Sequence, residues 1–306
     1  MVQVSVIVAT YHSDYKKILE TVDSILIQQK IDYEIVMAED SADNGYYSDL
    51  KHYFEKKKFA KYKFVYQKEN QGTVKNILCA AQIAEGEYIK PISPGDLLIN
   101  EYVLDEMYRC AVENNAAACF GDVQCYSIIN GKKVYIHKNF PNDIRPYIQG
   151  NREKAIKNNL LLGDVIYGVS ILYNRIIMIE YMSKIAGSVI LCEDLIMVLL
   201  LIENKNIVYT RKKMVLYEYG LGISAPQNTV GKRKIKQDQI MFARFIQENY
   251  KKYRGMAHRR EKMCRLKRRY WITLIVKEFF IIPEYTLYQI CTKSFLRTLV
   301  RNGREK

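Results

Sequence analysis

The sequence predicts an α/β protein in which a mainly parallel sheet is flanked by helices and followed by a helical, basic C-terminal extension. Short β-branched runs alternate with segments of helical spacing over residues 1–120, which is the pattern of consecutive βαβ units. Polar and acidic residues follow several of the predicted strands. Positive charge is concentrated near the C-terminus, so we divide the chain into residues 1–228 and residues 229–306.

The first predicted strand is the continuous apolar run 4–9, which is typical of a strand buried on both faces. Ser13 or Asp14 can cap the helix that follows, whose apolar face contains Ile18 and Val22. Asn100 is the predicted cap of a later helix. The other predicted strands are residues 34–38, 64–66, 88–92 and 116–120.

The basic residues are strongly clustered. The formal net charge of the 306 residues is +14, but residues 231–306 hold 21 Lys and Arg against 6 Asp and Glu. The preceding residues are therefore close to neutral. Ten basic residues lie between positions 251 and 269, directly before the apolar stretch 270–282. Body and extension have to be interpreted separately.

We expect a cytoplasmic protein without a membrane-spanning helix. The first residues lack the basic region and cleavage site of a signal peptide, and they are typical of a strand. The apolar stretches 185–202 and 270–282 contain charges or are shorter than the roughly 20 residues that span a bilayer. The seven cysteines show no zinc-ligand spacing, and we expect them to be reduced.

The turns after the predicted strands carry carboxylates instead of glycines. Asp40 and Asp43 follow the second strand, and Asp96 follows the fourth. Ligands bind at this edge of a parallel sheet. The first strand-to-helix turn has no glycine, which excludes a P-loop and a dinucleotide fingerprint, whereas oxygen ligands suit Mg²⁺ or Mn²⁺ on a diphosphate. Turn formation and helix capping explain these acids equally well.

Two adjacent acids, Glu193 and Asp194, interrupt an apolar segment of helical spacing. One interpretation is that Asp194 caps the helix, because a helix N-terminus stabilises negative charge. The other is that two acids beside apolar surface form a general base with a raised pKa. The sequence motifs below favour the second interpretation.

An ordered set of segments covering about residues 2–225 resembles family 2 glycosyltransferases, which have the GT-A fold. The resemblance is carried by the set and its order along the chain, and each segment by itself is weak. The matching segments are the opening strand at residues 4–11, the first helix at 19–28, the second strand with its acidic motif at 33–41, the Asn-x-Gly segment at 70–76, the strand before the metal motif at 86–89, and the Glu-Asp motif at 193–194.

The resemblance implies roles for individual residues. It makes Asp194, beside Glu193, the catalytic general base and Asp96 the ligand of Mg²⁺ or Mn²⁺. The family usually has Asp-x-Asp after the fourth strand, often followed by a third Asp, and this chain has Ser93-Pro94-Gly95-Asp96 instead, so that one acid remains. The residues that the resemblance assigns to the nucleotide sugar are Thr10, Tyr11, Glu39, Asp40 and Lys75.

The resemblance also implies a single inverting displacement on a nucleotide sugar, with a UDP-sugar as the expected donor. The Gln-x-x-Arg-Trp motif of processive members is absent, since the only tryptophan, Trp271, follows Lys-Arg-Arg-Tyr. We therefore expect transfer of one sugar and not polymerisation. Residues 217–224 are similar to a segment of bacterial capsule and surface-polysaccharide enzymes, and a lipid-linked saccharide acceptor is expected together with the membrane placement of the basic segment.

The basic segment has three interpretations. It is a solvated helical face, or a nucleic-acid site, or, together with the apolar residues up to 282, an interfacial helix attracted to anionic lipid. We favour the last interpretation, which places the protein at the inner face of a bacterial cell membrane and predicts no nucleic-acid partner.

Two further alternatives concern the body. A nucleotidyltransferase would need a glycine-rich loop after the first strand, where this chain has none. A non-catalytic binding protein on a degenerate GT-A fold would explain the depleted metal motif.

Overall fold

The computed structural model describes residues 1–42, 46–138, 140–223, 225, 227–266 and 279–291. The strands are β1 (Val4–Thr10), β2 (Tyr33–Glu39), β3 (Tyr62–Tyr66), β4 (Tyr88–Ile92), β5 (Leu97–Leu98), β6 (Ala118–Ile129), β7 (Lys132–Ile136), β8 (Ile171–Asn174) and β9 (Ile207–Glu218). The α-helices are α1 (Tyr15–Leu26), α2 (Tyr47–Lys56), α3 (Thr73–Ile83), α4 (Val103–Glu113), α5 (Arg145–Ile148), α6 (Arg152–Ile156), α7 (Arg175–Ile185), α8 (Ile196–Ile202), α9 (Thr229–Asn249), α10 (Arg254–Arg265) and α11 (Pro283–Cys291). A π-helical turn (Lys157–Leu162) and three 3₁₀ turns (Gly168–Ser170, Glu193–Leu195 and Lys251–Tyr253) complete the described elements.

The nine strands form one sheet in the order β3-β2-β1-β4-β8-β6-β9-β5, with β7 paired to β6. Strand β1 is parallel to β2 and β4, and β2 is parallel to β3. The predicted α/β fold is confirmed, and these four strands form one parallel part. Strand β8 is antiparallel to β4 and β6, while β9 is parallel to β6 and antiparallel to β5, so the second half of the sheet is mixed. Strand β6 continues into a hairpin with β7, and a hairpin gives antiparallel pairing, whereas parallel pairing needs a long crossover.

The first helix forms as its sequence predicts. Asp14 is the N-cap of α1, and its side chain accepts a hydrogen bond from the Lys16 N–H. The predicted cap Asn100 lies three residues before the first residue of α4, where its side chain accepts from the Tyr102 N–H, and Tyr102 is the N-cap instead. An asparagine in a turn bonds to the backbone two residues on, so the same preference serves a turn here.

The central strands β1, β2 and β4 are buried on both faces of the sheet. Val4, Val6 and Val8 point to one side, where they pack with α1, α2 and α4, while Ile7 points to the other side, where α3, α7, α8 and α9 lie. Successive strand residues alternate between faces. A strand between two helical layers therefore needs apolar residues at nearly every position, which explains the continuous run in β1.

The C-terminal region contributes to the same core as the strands. In α9, Phe242, Ala243 and Ile246 are buried in the cluster that contains Ile7 of β1. Ala257 of α10 belongs to this cluster as well. Helix α9 begins at Thr229, close to the predicted boundary at 228/229, and the division into two domains stays a prediction.

Within the segment 251–282 that is predicted to contact the membrane, residues 267–278 lie outside the described residues. Ile282 is fully buried with Leu161 and Leu162, while Phe280 is exposed. In the part of the chain that the structure describes, the helices are all too short or too polar to cross a bilayer.

Candidate active site

Strands β1 and β2 end together at one edge of the sheet, since Thr10 pairs with Glu39 in the parallel register. Both residues are buried. The Glu39 carboxylate accepts hydrogen bonds from the His12 N–H (3.2 Å), the Ser41 hydroxyl (2.9 Å) and the Tyr46 hydroxyl (2.9 Å). The Tyr46 oxygen also lies 2.5 Å from Thr10 Oγ1. Glu39 thereby ties together the loops that follow both strands, and Tyr46 is a member of this edge that the sequence motifs did not reveal.

Tyr11 presents an aromatic ring at the same edge. Its residue surface is 51% exposed, and its ring centroid lies 4.5 Å from that of His12. His12 has a positive φ of 47°, which turns the chain sharply after β1. An exposed aromatic face beside a ligand edge can stack on a planar ring.

Asp40 anchors the loop before α3. Its Oδ1 accepts from the Gln71 N–H and its Oδ2 from the Gly72 N–H, each at 2.7 Å. Burial raises the pKa of the Asp40 carboxyl, and the two backbone hydrogen bonds oppose this effect. The carboxylate keeps acceptor capacity beyond these two bonds, because each oxygen has two lone-pair directions.

Gly72 lets this loop approach the segment before the two catalytic candidates. It has a φ of 86°, and a Cβ at this position would lie 2.3 Å from Ile190 Cγ2. The Val74 N–H donates to the Ile190 carbonyl at 3.0 Å. Only glycine combines this backbone conformation with such a short distance.

The first turn of α3 carries one exposed cation and one buried amide. Lys75 is exposed, with its Nζ 3.4 Å from Gln71 Oε1. Asn76 is buried and donates from Nδ2 to the Ala38 carbonyl at 2.8 Å. Its Oδ1 has no hydrogen-bond partner among the described residues. The Lys-Asn pair is part of the family-like segment, and the resemblance assigns a role to Lys75 alone.

A buried acid of α9 holds the backbone directly before Glu193. The Asp238 carboxylate accepts from the N–H groups of Ile190 (3.1 Å), Leu191 (2.6 Å) and Cys192 (3.1 Å). Asp238 is 1% exposed. Three donors converging on one carboxylate are a strong, charge-assisted interaction. We call residues 190–192 the strap, since they connect α3, α9 and the catalytic candidates.

Glu193 and Asp194 lie in the 3₁₀ turn between the strap and α8. Burial raises the pKa of the Asp194 carboxyl to about 7, although hydrogen bonds from its own N–H and from the Gly168 backbone act in the opposite direction. Burial, followed by the charge of Asp194, raises the pKa of Glu193. The negative charge of Asp238 adds to both shifts. A carboxylate with a pKa near neutrality is suited to take a proton from a hydroxyl group.

The turn at residues 168–170 connects these acids to strand β4. A Cβ on Gly168 would lie 2.3 Å from Glu193 Oε1, so the absence of a side chain admits the Glu193 carboxylate. The next carbonyl, that of Val169, accepts a hydrogen bond from the fully buried Lys90 of β4. Burial lowers the pKa of the Lys90 ammonium to about 7, opposed by the negative charge of Asp96.

Asp96 ends a tight turn after β4. Its Oδ1 accepts from the Glu218 N–H at 3.2 Å, and its own carbonyl accepts from the Thr21 hydroxyl at 2.9 Å. Burial raises the pKa of the Asp96 carboxyl to about 7. The preceding Gly95 has a φ of 98°, and its carbonyl accepts from the Tyr126 hydroxyl at 2.6 Å. Elements α1, β6 and β9 therefore all fix this turn.

The carboxylate of Asp96 suits a metal ion whose remaining coordination positions are filled by oxygens of the substrate. Within the described ranges, no group of three or more His, Cys, Asp or Glu side chains could enclose a metal ion. Magnesium-type sites commonly use one or two carboxylates together with phosphate oxygens and water. Asp96 supplies one such carboxylate, so the chemistry at this turn is compatible with a metal bound jointly by protein and diphosphate.

The structure connects most of the predicted site residues. Thr10, Glu39 and Asp40 form one hydrogen-bonded edge, and the strap leads from this edge to the turn of Glu193 and Asp194. Asp96 is near the charge of Lys90, which donates to the Val169 carbonyl of the 168–170 turn. Tyr11 and Lys75 are exposed beside the edge. Asp43 lies outside the described residues. Their roles as ligands or catalysts stay predictions.

Comparison with solved structures shows the same fold in TarS and in a mannosyltransferase. TarS from S. aureus in complex with UDP has a TM-score of 0.54 and 15% identity, with 93% of this chain and 82% of that chain covered. The mannosyltransferase PcManGT from Pyrobaculum calidifontis, in complex with GDP-Man and Mn²⁺, has a TM-score of 0.58 and 13% identity, with 99% of this chain and 79% of that chain covered. At such low identity the likeness shows the fold alone. A comparison with curated protein sequences found no match.

The family is shown by sequence. The family model described as "Glycosyl transferase family 2" matches residues 5–176, which is more than half of the chain and includes the edge, the α3 segment and the turn at Asp96. The strap, the Glu193-Asp194 turn and α9 lie beyond the matched residues. The chain therefore belongs to glycosyl transferase family 2 and is a glycosyltransferase.

Proposed function

We propose that this enzyme transfers a single sugar, with inversion, from a nucleotide-sugar donor to a lipid-linked saccharide acceptor in the biosynthesis of a bacterial surface polysaccharide such as a capsule. The observation that carries the proposal is the pair Glu193 and Asp194, whose carboxyl groups have raised pKa values beside the ligand edge of the sheet. An inverting displacement needs a base at the acceptor hydroxyl, and Asp194 is suited to that role at neutral pH.

The nucleotide of the donor binds at the ends of β1 and β2 in this proposal. Tyr11 offers an aromatic face to the base, and Lys75 offers a positive charge. Asp40 and Glu39 accept hydrogen bonds from the ribose or base, or hold the loops that do so. Thr10 fixes the geometry of the edge through its contact with Tyr46.

Mg²⁺ or Mn²⁺ would be held at Asp96, together with oxygens of the diphosphate. A divalent cation there neutralises the negative charge of the departing nucleoside diphosphate. The protein holds the Asp96 carboxylate in place through the Glu218 N–H. Correct positioning of donor and acceptor contributes to the rate in addition, because it replaces a bimolecular encounter.

A UDP-sugar is the first donor to test. TarS is solved with UDP and with UDP-GlcNAc, and PcManGT with GDP-Man and Mn²⁺. These ligands belong to those proteins, and they define the range of donors to examine here. We place the enzyme at the inner face of the cell membrane because its basic segment, residues 251–269, and the apolar residues up to 282 suit anionic lipid.

The test is release of nucleotide from a panel of UDP-, GDP-, CMP- and dTDP-sugars, with Mn²⁺ or with EDTA, and with a lipid-linked saccharide fraction as acceptor. We expect turnover with one donor. Asp194→Asn should reduce kcat about 100-fold or more, since general-base catalysis contributes roughly that much, and should leave nucleotide affinity close to that of the wild type. The anomeric configuration of the product, read by NMR, tests inversion.

Asp49→Asn is the matched control, because Asp49 is an exposed acid on α2. It should retain wild-type turnover. Turnover that survives Asp194→Asn would reject Asp194 as the base. The enzyme proposal as a whole would be rejected if none of the nucleotides bound at millimolar concentration.

A further inference from the structure

Gly95 has no side chain, and a carboxylate from another strand occupies the space where its side chain would lie. Gly95 stands at the second acid position of the family's Asp-x-Asp motif. A Cβ built on Gly95 would lie 2.4 Å from Glu218 Oε2 and 3.6 Å from Glu218 Cδ. The volume into which an acid at position 95 would project is therefore occupied by the carboxylate of Glu218.

The strand pairing fixes Glu218 at this place. Leu97 pairs with Leu216 where β5 meets the end of β9. Two residues further along β9, the Glu218 N–H donates to Asp96 Oδ1 at 3.2 Å. The Glu218 side chain is only 8% exposed. Asp96 and Glu218, distant in sequence, therefore present two neighbouring carboxylates at the carboxyl end of β4.

A cation already stands beside these carboxylates. The Lys17 ammonium of α1 lies 2.6 Å from Glu218 Oε2, and its side chain is 32% exposed. A buried carboxylate requires a counter-charge, because removing it from water without one is very unfavourable. The lysine supplies that charge from the solvent side, where a divalent cation could take its place.

We propose that Glu218 supplies the second carboxylate that the Ser93–Asp96 turn lacks, so that Asp96 and Glu218 together hold the divalent cation that meets the diphosphate of the donor. This inference rests on the proposed function. Lys17 balances the charge of Glu218 when no metal is bound, and it competes with the metal for that carboxylate. The two side chains therefore have opposite effects on metal affinity.

The experiment measures Mn²⁺ binding directly, from the electron paramagnetic resonance signal of free Mn²⁺, with saturating UDP, or with GDP if only GDP binds. Glu218→Gln should weaken Mn²⁺ binding about tenfold or more, since it removes a charged ligand. Lys17→Met should strengthen it about fivefold, because the positive charge that competes with the metal for the Glu218 carboxylate is removed. Circular dichroism and thermal melting establish that each variant is folded.

The matched control is Glu106→Gln, because Glu106 is also an acid paired with a lysine, Lys212, at 2.8 Å. It should bind Mn²⁺ like the wild type. If nucleotide binds but Mn²⁺ affinity is unchanged in Glu218→Gln, or if Mn²⁺ does not bind at all, the inference is overturned and the proposed transferase function stands. If no nucleotide binds to the wild type, the proposed function fails and this inference fails with it.

Discussion

The surroundings of Asp194 and Glu193 favour the protonated, uncharged form of their carboxyl groups. Their carboxyl groups lie next to each other and near a third negative charge, that of Asp238. This arrangement gives a base that is still able to accept a proton near neutral pH. It also means that ionising these groups costs folding free energy, because the folded state binds their protons more tightly than the unfolded state does.

The first prediction concerns the folding free energy that is lost when Asp194 ionises. The pKa of Asp194 is raised from 3.8 to about 7, so its contribution to stability is greatest at low pH and is lost as the pH rises from about 4 to about 7. Asp194→Asn removes the ionisation and should raise the Tm by about 2 °C at pH 8. The gain should be smaller at pH 5. Differential scanning fluorimetry of the wild type and of Asp194→Asn measures the gain in Tm at each of the two pH values.

If Asp194→Asn is more stable than the wild type but inactive, the enzyme retains Asp194 for catalysis although this residue lowers the stability of the fold. Asp49→Asn should show no change in Tm between the two pH values beyond that of the wild type. A Tm gain for Asp194→Asn that is equal at pH 5 and pH 8 would contradict the ionisation argument.

At the scale of elements, the strap connects three parts of the site. The Ile190 carbonyl accepts from α3, and the N–H groups of the strap donate to Asp238 of α9. The strap has no regular structure of its own, so its position depends on these contacts. Helix α9 therefore acts on the Glu193-Asp194 turn without contributing a side chain that reacts, which makes Asp238 a positioning residue.

The second prediction tests this connection. Asp238→Asn keeps the shape of the side chain but turns one acceptor oxygen into an NH₂ group, which cannot accept from the strap. We expect kcat to fall about tenfold, while KM for the donor changes less than twofold, since the contacts of the nucleotide edge remain. The acid limb of the pH–rate profile should move to lower pH, because the Asp238 charge raises the pKa of Asp194.

Glu248→Gln is the control on the same helix, because Glu248 is exposed. It should behave as the wild type in both measurements. A purely structural role of Asp238 would lower Tm and expression without moving the pH–rate profile. That result would contradict the positioning role.

At the scale of the whole molecule, part of the basic segment is neutralised internally. Lys252 pairs with Glu153 at 2.6 Å, Arg265 pairs with Glu261 at 2.9 Å, and Arg259 pairs with Glu284. Arg260 donates to Gln239 of α9. The contacts of Arg259 and Arg260 attach α10 to α11 and α9, whereas the Arg265–Glu261 pair lies within α10 and Lys252 precedes it. The charge that is left for an anionic surface is therefore smaller than the sequence count suggests.

The third prediction concerns membrane attachment. Replacing Lys251, Lys262 and the three basic residues at 267–269 by glutamine should weaken binding to vesicles with 30% phosphatidylserine by at least about 100-fold at low salt, since each basic residue near such a surface contributes roughly 1 kcal/mol. Sedimentation with vesicles measures the bound fraction. Binding of the wild type should fall steeply with salt.

The control replaces Lys56, Lys57 and Lys58, a basic run at the end of α2, with glutamine. It should bind vesicles like the wild type. Equal binding of the wild type to neutral phosphatidylcholine vesicles, or binding of RNA in preference to vesicles, would contradict attachment to anionic lipid through this segment.

Much of the fold and of the site followed from local patterns. The β1 run, the Asp14 cap and the acids after β2 and β4 are short-range signals, because strand burial, capping and turn formation depend on neighbouring residues. The mixed second half of the sheet did not follow, since β8 and β9 pair with partners far away in sequence. For the same reason Tyr46, Asp238 and Glu218 were not identified.

Local sequence patterns were sufficient to show that a parallel α/β edge carries acids and that the chain belongs to a glycosyltransferase family. The hydrogen bonds that make Glu39 and Asp40 anchors, and the burial that raises the pKa values of Asp40, Asp96, Glu193 and Asp194, depend on the tertiary structure. It also placed the Glu218 carboxylate in the space left by Gly95. The physical reason is that ionisation and metal binding depend on burial and on charges within a few ångströms, and those neighbours come from distant parts of the chain.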